Sequence, residues 1–230
     1  KPPGLQPPRR ALVLCGGGAR GAMEVGFYRA ITELGLSFEI VVGSSVGALN
    51  GACIAAGMPP DELARWWQRV GRADVVGGNW QALWRGGGPL SLDPLRRLLR
   101  KTLPVLVFED LKTPLVVTTT DLLTGTPVYW HGAGDLLEPV VASMSLPGVF
   151  PPVTIDGRQL VDGAVASNVP FASALGVARG AREMLMILCT CCPAARRPLR
   201  SPLGILLRSF WIALETKYGC DLQHHRRQGV

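Results

Sequence analysis

Short apolar runs alternate with stretches of helical spacing along the first third of the chain. The runs at 11–14 and 40–42 predict two buried strands. Apolar residues recur at helical spacing over 19–34, while the small apolar stretch 46–56 and the segment 60–70 predict two further helices. This order of strand, helix, strand and helix indicates an α/β fold with a mostly parallel central sheet.

The rest of the chain predicts the remaining elements of such a fold. We expect strands over 115–119, 128–130 and 184–188, helices over 92–100, 136–144 and 201–218, and a hairpin over 153–161. The hairpin turn is placed at Asp156-Gly157. Residues 71–91 are Gly-rich and contain Trp80 and Trp84. A stretch of that length is either a lid or binding loop or an ordinary surface excursion.

Composition narrows the class of protein without identifying a function. Apolar residues make up 47% of the chain and charged residues 18%, which is typical of a core-forming sequence. No apolar run approaches the roughly 20 residues of a bilayer span, so a soluble or peripheral protein is expected. The net charge of +7 fits a solvated basic surface, an anionic membrane surface or an anionic substrate. Nucleic acid is the weakest candidate partner, because aromatic content is only 7% and no nucleic-acid-reading motif is present.

The cysteines do not predict a metal centre. Cys15 and Cys53 lie in apolar stretches and are interpreted as small core residues. Cys189, Cys191 and Cys192 are clustered more densely than metal ligands usually are, and no histidine is near them in sequence. We therefore expect no metal, no cofactor and a reducing, cytoplasmic compartment.

A G-x-S-x-G motif, Gly43-Ser44-Ser45-Val46-Gly47, lies between a predicted strand and a predicted helix. This is the context of a nucleophile elbow, in which the backbone turns sharply and a Cβ at either glycine would clash. The turn would present the Ser45 hydroxyl at the N-terminus of the next helix, where the helix dipole favours negative charge. The motif predicts Ser45 as a nucleophile, and the alternative is a serine that only caps the helix.

A glycine-rich loop follows the first predicted strand and opens the first helix. Gly16, Gly18 and Gly21 satisfy the dinucleotide fingerprint G-x-G-x-x-G, which also requires an acid at the end of the second strand. Glu39 lies at the wrong end of that strand. The other interpretation is an oxyanion hole of exposed backbone N–H groups, completed by the amide of Val46. The serine elbow close behind favours the oxyanion hole.

No histidine is well placed to activate the serine. A Ser-Asp-His triad on this topology needs a histidine after the acid, yet His131 precedes the best acid candidate, Asp162. His224 and His225 lie in a polar tail. Asp162 follows an apolar strand end and could take the serine proton directly, although a carboxyl pKa near 4 makes a weak base. From the residues alone, a turn residue remains the alternative for Asp162.

The motifs occur in a specific combination: the glycine loop, the G-x-S-x-G motif and then Asp162-Gly163-Ala164. With 142–152 and Asn168-Val169-Pro170, they resemble the patatin-like phospholipase family over roughly residues 11–170. The resemblance implies a three-layer α/β/α sandwich and a catalytic dyad of Ser45 and Asp162, which explains the missing histidine. It also implies that Gly16, Gly17, Gly18 and Ala19 supply the oxyanion hole. To this oxyanion and substrate-binding site we add Val46, for its amide, and Arg20.

The resemblance further implies a lipid acyl hydrolase of phospholipase A or lysophospholipase type, acting on lipid or phospholipid through an acyl-enzyme. We expect a flexible segment over 1–10, a catalytic domain over 11–195 and a basic helical segment with a tail over 196–230. The last segment is either an amphipathic helix on an anionic membrane surface or a helix packed on the core. Arg20 is expected to hold the glycine loop, to bind a substrate phosphate or to form a surface ion pair.

Overall fold

The central element of the structure is a mixed β-sheet whose middle strands run parallel. The structure, a computed structural model, describes residues 10–79, 89–167, 183–187 and 198–216, except 203, 207 and 214. The chain divides into two compact units, residues 1–189 and 190–230. The sheet belongs to the first unit.

The strands and helices of the first unit follow one another in the predicted α/β order. In chain order the strands are β1 (Arg10–Leu14), β2 (Ile40–Ser44), β3 (Gly77–Gly78), β4 (Leu90–Ser91), β5 (Leu115–Asp121), β6 (Pro127–Trp130), β7 (Val153–Ile155), β8 (Arg158–Asp162) and β9 (Glu183–Ile187). The α-helices are α1 (Ala22–Glu33), α2 (Val46–Ala55), α3 (Pro60–Arg69), α4 (Arg72–Val75), α5 (Asp93–Thr102), α6 (Leu137–Ser143) and α7 (Ala164–Ser167). Two 3-10 turns cover Gly18–Gly21 and Phe108–Asp110.

Seven of the described strands form the main sheet. Its order is β7-β8-β5-β2-β1-β9, and β6 also pairs with β5. The four adjacent strands β9, β1, β2 and β5 run parallel to one another. The pairs β5–β6, β5–β8 and β7–β8 are antiparallel. A sheet with parallel central strands and flanking helices confirms the predicted fold class.

One edge of β5 is shared by two strands that lie end to end. Strand β2 pairs with the first part of β5 up to the register pair Ser44–Thr118. Strand β8 pairs with the next part, beginning at the register pair Asp162–Thr119. Because β2 runs parallel to β5 and β8 runs antiparallel, the carboxyl ends of β2 and β8 meet at this point.

The core lies on both faces of the sheet, as the two-residue period of a strand requires. Alternate residues of β1 and β2, such as Leu12, Leu14 and Val41, pack in a large cluster with α2 and α6. The intervening residues, such as Val13 and Val42, belong to a smaller cluster. All ten residues of α2 are buried, which confirms the predicted deeply buried helix.

Two predicted elements differ from the observed ones. The predicted helix over 19–34 begins as a 3-10 turn at 18–21, and α1 proper runs over 22–33. Gly18, at the start of this turn, has a positive φ of 60°. The stretch 71–91, predicted as irregular, contains α4 and the short antiparallel pair β3–β4. Residues 80–88, with Trp80 and Trp84, lie outside the described residues.

The other predicted elements are observed within a few residues of their expected bounds. The turn of the β7–β8 hairpin has positive φ angles at both Asp156 (49°) and Gly157 (73°), as a tight two-residue turn requires. Cys15 and Cys53 are buried in the core, as expected. The predicted segment 1–10, apart from Arg10, and the Cys189–Cys192 cluster lie outside the described residues.

The described residues of the second unit include one helical stretch. Described residues between 202 and 216 are helical, which agrees with the predicted helix over 201–218. Phe210 and Trp211 contact each other edge to face at 6.4 Å between ring centroids. Within the described part of the chain, no helix is long and apolar enough to cross a bilayer.

A substitution at Gly43 tests how tightly β2 packs on α2. We expect Gly43→Ala to lower the free energy of unfolding by at least about 3 kcal/mol, because an added Cβ would meet backbone atoms of Gly47 and Ala48 that cannot move aside. Gly26→Ala is the matched control: its Cβ meets nothing within 4 Å, so helix propensity should raise stability by about 1 kcal/mol. Urea unfolding of both variants measures this. Equal effects of the two substitutions would contradict the packing described.

Candidate active site

Ser45 occupies a strained backbone conformation between β2 and α2. Its φ is 55° and its ψ is −127°, a combination that costs a residue with a side chain about 1–3 kcal/mol. A Cβ at Gly43 would collide with the Gly47 carbonyl, and one at Gly47 would collide with the Leu14 carbonyl. Gly43 therefore lets β2 and α2 approach closely enough to form this turn, and Gly47 lets α2 approach the end of β1.

The Ser45 hydroxyl donates a hydrogen bond of 2.8 Å to Oδ2 of Asp162. The two residues meet because the carboxyl ends of β2 and β8 adjoin on the edge of β5. The second carboxylate oxygen of Asp162, Oδ1, accepts the Ala164 amide at 2.9 Å. Both oxygens thus have a fixed donor, so the carboxylate is held in one orientation with Oδ2 facing the serine.

The same geometry bears on the alternative that Ser45 only caps α2. Ser45 occupies the N-cap position, but its side chain makes no capping hydrogen bond to the helix. Its hydroxyl is directed to Asp162 instead. The arrangement is that of a serine paired with an acid rather than of a capping serine.

Burial makes the Asp162 carboxyl a stronger base than an ordinary aspartate. The side chain is only 3% exposed, and desolvation raises its pKa from 3.8 to about 6. The hydrogen bonds from Ala164 and Ser45 lower the pKa, but they do not offset the desolvation. A carboxylate with this pKa is mostly ionised at neutral pH and takes a proton more readily than a solvated one.

Asp162 is also held through its backbone and by the turn that follows. Its amide donates to the Ser145 carbonyl at 2.9 Å, and its carbonyl accepts the Thr120 hydroxyl at 3.0 Å. A Cβ at Gly163 would collide with the Thr118 carbonyl and the Ser44 hydroxyl. This close approach explains why glycine follows the aspartate.

Ser143, at the end of α6, links the serine elbow to the sheet. Its hydroxyl accepts the Ser45 amide at 2.8 Å and donates to the Thr118 carbonyl at 2.7 Å. The hydroxyl thereby satisfies the backbone N–H of the strained residue. Sequence reasoning placed Ser143 in a family-like segment but assigned it no contact, and only its position in that segment could have pointed to it.

The glycine loop lies where β1 ends and α1 begins, and its 3-10 turn packs against α2. Gly16 and Gly17 are buried, whereas Gly18 and Ala19 are exposed. Val46 is the first residue of α2, so its N–H has no acceptor within the helix. The structure thus brings the loop and α2 together, with backbone N–H groups near the start of two helices.

Arg20 contacts the loop to which it belongs. Its Nε donates to the Gly17 carbonyl at 3.3 Å. Of the three expectations for Arg20, this contact supports the one in which the side chain holds the glycine loop.

A buried polar cluster behind the loop was not anticipated from the sequence. The Asn50 amide nitrogen donates to the Gly21 carbonyl at 2.9 Å and to Glu24 Oε2 at 2.7 Å. The Asn50 oxygen accepts the Trp67 indole N–H at 2.8 Å. Asn50 therefore fixes the end of the glycine loop to α2, α1 and α3 together. An asparagine in an otherwise small and apolar helix is the signal that could have identified it.

A cavity of about 530 Å³ opens beside the segment that supports Asp162. Its lining includes Ser145, apolar residues such as Leu92, Phe150 and Val153, and the ion pair of Asp93 and Arg96. Gly78, Asn79 and Ser91, from the stretch 71–91, also line it. This supports the interpretation of that stretch as a binding loop.

Metal-ligating groups and histidines do not assemble at this site within the described ranges. No group of three or more His, Cys, Asp or Glu residues there could hold a metal ion. His131 is exposed in the turn after β6, and His224 and His225 lie outside the described residues. The candidate site therefore consists of one serine, one aspartate and backbone N–H groups.

Comparison with known proteins identifies the class to which this α/β protein with a serine elbow belongs. The sequence model of the patatin-like phospholipase family matches residues 12–175. The chain belongs to the patatin-like phospholipase family. Membership favours the oxyanion interpretation of the glycine loop over the dinucleotide one.

Relatives of the chain occur in bacteria and fungi. An uncharacterized NTE family protein of Mycobacterium tuberculosis is 34% identical over 174 residues, which cover 76% of this chain and 48% of that protein. Lysophospholipase nte1 of Aspergillus terreus is 34% identical over 175 residues, covering 72% of this chain and 11% of that protein. The chain thus spans about half the length of the mycobacterial relative and a smaller share of the fungal one.

Among solved structures, VipD from Legionella pneumophila resembles the chain with a TM-score of 0.52. The match covers 67% of this chain and 46% of VipD at 16% sequence identity. At that identity the likeness concerns the fold alone. It supports the predicted three-layer α/β/α sandwich.

Because burial raises the pKa of Asp162 from 3.8 to about 6, its charged form destabilises the fold. The stability of the wild type should therefore fall as pH rises from about 4 to about 6 and remain lower above that. We expect Asp162→Asn, which mimics the neutral carboxyl, to be more stable than the wild type at about pH 8, by on the order of 3 kcal/mol. At about pH 4 the difference should nearly vanish. Urea unfolding at both pH values measures it, and a less stable Asp162→Asn at about pH 8 would contradict the assignment.

Proposed function

We propose that the chain is a lipid acyl hydrolase that cleaves carboxylic esters through a Ser45–Asp162 dyad and an acyl-enzyme. The observation that carries this proposal is the 2.8 Å hydrogen bond from the Ser45 hydroxyl to Asp162 Oδ2 at a strained strand–helix turn. Family membership supports lipid acyl esters as the substrate class. The fungal relatives named lysophospholipases support a lysophospholipid or phospholipid substrate in particular.

In the first half of the reaction, Asp162 Oδ2 takes the proton of the Ser45 hydroxyl. The serine oxygen then attacks the ester carbonyl carbon and forms a tetrahedral intermediate. When the ester C–O bond breaks, the departing alcohol takes the proton from Asp162 and the acyl group remains on Ser45. The raised pKa of Asp162 suits both transfers, because the carboxyl can accept and return a proton near neutral pH.

In the second half, water takes the place of the alcohol. Asp162 accepts a proton from this water as its oxygen attacks the acyl carbon. The bond between the acyl group and Ser45 then breaks, and the proton returns to the serine oxygen. The products are a fatty acid and the original enzyme, so no external reactant other than water is consumed.

We assign the oxyanion hole to the glycine loop, Gly16 to Ala19, together with the Val46 amide. Each backbone N–H that faces the developing oxyanion can stabilise the transition state by roughly 3–4 kcal/mol. Packing of the loop against α2 and the Arg20 contact with Gly17 support this role, since both fix the loop beside the first turn of α2. We assign the cavity beside Ser145 to part of the lipid substrate, because its lining combines apolar side chains with the charged pair Asp93 and Arg96.

Two substitutions test the dyad. We expect Ser45→Ala and Asp162→Asn each to lower kcat/KM on a short-chain p-nitrophenyl ester by about 10³-fold or more, because they remove the nucleophile and the base respectively. Circular dichroism should show that both variants keep the fold.

The matched control is the neighbouring serine. The Ser44 hydroxyl is buried without a hydrogen-bond partner among the described residues, so Ser44→Ala should leave both activity and stability near the wild-type values. Near-normal turnover by Ser45→Ala or Asp162→Asn would refute the dyad. A panel of phospholipids, lysophospholipids and neutral esters then defines the lipid class.

A further inference from the structure

The hairpin between β5 and β6 lies on the side of the sheet where the parallel strands end, which is also the side of the proposed dyad. The dyad adjoins Thr119 in the register of β5, and the strand continues to Asp121 before it turns. At about 3.3 Å per residue, Leu122 lies roughly 10 Å beyond Thr119 along the strand direction. We call residues 122–126, which connect β5 to β6, the hairpin tip.

Two adjacent leucines are exposed at the hairpin tip. Leu122 is 47% exposed and Leu123 is 77% exposed. The sequence from 122 to 134 contains no Asp, Glu, Lys or Arg. The tip therefore carries no charged side chain and exposes two leucines beside Thr124, Gly125 and Thr126.

All five backbone N–H groups of the hairpin tip have an acceptor within the protein. Leu122 donates to the Gln159 carbonyl at 2.8 Å, Leu123 and Thr124 to Asp121 Oδ1 at 2.9 and 3.2 Å, Gly125 to the Asp121 carbonyl at 2.9 Å, and Thr126 to the Thr124 hydroxyl at 3.4 Å. The hydroxyls of Thr124 and Thr126 also bond to each other at 2.7 Å.

Paired N–H groups make transfer out of water inexpensive. An apolar medium offers no acceptor, so an unpaired amide resists leaving water at a cost of several kcal/mol. The N–H groups of the hairpin tip have already formed these bonds, and the tip exposes two leucine side chains together with Thr124, Gly125 and Thr126. A bilayer interface would accept the two leucines, and residues 122–126 themselves carry no charge. Exposed charges lie in the neighbouring β7–β8 hairpin, at Asp156 and Arg158.

The position of the hairpin tip also fits a bilayer. Met23, in the first turn of α1, is 55% exposed. Helix α1 begins on the same side of the sheet, because it follows the loop at the end of β1. An enzyme that hydrolyses a lipid in a bilayer must turn this side of the sheet to the membrane for the ester to reach Ser45. The exposed apolar residues near the proposed dyad therefore lie on the side that such a substrate would occupy.

We infer that the hairpin tip is a membrane-docking surface. Leu122 and Leu123 enter the interfacial region of a lipid bilayer and hold the side of the sheet that carries Ser45 against it. The contact is apolar, so it does not require anionic lipid. This inference rests on the proposed function, because it takes the bilayer to be the source of the substrate.

The test compares binding and hydrolysis in the full chain. Binding is measured with Ser45→Ala as the parent, by co-sedimentation with phosphatidylcholine vesicles, so that the vesicles stay intact. Adding Leu122→Gln and Leu123→Gln together should weaken vesicle partitioning about tenfold, because the apolar surface that enters the bilayer is lost. In the active chain, the same pair should lower hydrolysis of vesicle phospholipid by about the same factor. Turnover of a soluble short-chain ester should not change.

Leu34→Gln is the matched control. Leu34 is 72% exposed but follows the C-terminal end of α1, on the side of the sheet where the parallel strands begin. Its replacement should therefore not change vesicle binding. Sedimentation should also persist at high salt, because an apolar contact is not screened. If the active chain hydrolyses no ester at all, the proposed function fails, while sedimentation of the Ser45→Ala parent still tests the docking surface.

Four outcomes would overturn the inference. The parent fails to bind vesicles, or the double variant binds and hydrolyses like its parent. Alternatively, binding requires anionic lipid and disappears at high salt, which would point to the basic residues instead. Finally, the double variant loses turnover of the soluble ester in proportion, which would place the leucines in the substrate site rather than on a docking surface.

Discussion

The candidate site depends on one strand edge being shared by two strands of opposite direction. Strand β2 runs parallel to β5 and β8 runs antiparallel to it, and their carboxyl ends adjoin at Thr118 and Thr119. This arrangement brings Ser45 within 2.8 Å of Asp162 although 117 positions separate them in sequence. A fully parallel sheet would place the amino end of β8 there instead, and the aspartate would lie at the far end of its strand.

Backbone strain at Ser45 persists because its surroundings hold the turn from several sides. Close approach at Gly43 and Gly47 permits the turn, and Ser143 satisfies the Ser45 amide. Asp162 in turn accepts the hydroxyl. Burial of Asp162 raises its pKa to about 6, although the hydrogen bonds from Ser45 and Ala164 oppose this shift. The strained serine and the basic aspartate therefore meet where β2, α2 and β8 adjoin.

Sequence patterns predicted the elements that repeat a simple period, and they missed what depends on tertiary contact. Hydrophobic spacing predicted β1, α1 and β2 because each buries one or two regular faces, and a continuous stretch of small apolar residues predicted the fully buried α2. Family-like motifs marked Ser45 and Asp162. The roles of Ser143 and Asn50 could not be predicted, because their partners lie on other elements and leave no local pattern. The stretch 71–91 was described as irregular because α4 and the β3–β4 pair are too short to show periodicity.

Covalent labelling tests the central claim most directly, since a fluorophosphonate reacts far faster with an activated serine in an oxyanion site than with an ordinary serine. Peptide mapping of the labelled chain by mass spectrometry should show an adduct on Ser45, and Ser45→Ala should take up none. The labelling rate should rise with pH through an apparent pKa of about 6, because Asp162 must be ionised to accept the proton, and Asp162→Asn should lose this dependence. An adduct on another residue, or labelling at Ser45 that is unaffected by Asp162→Asn, would contradict the dyad.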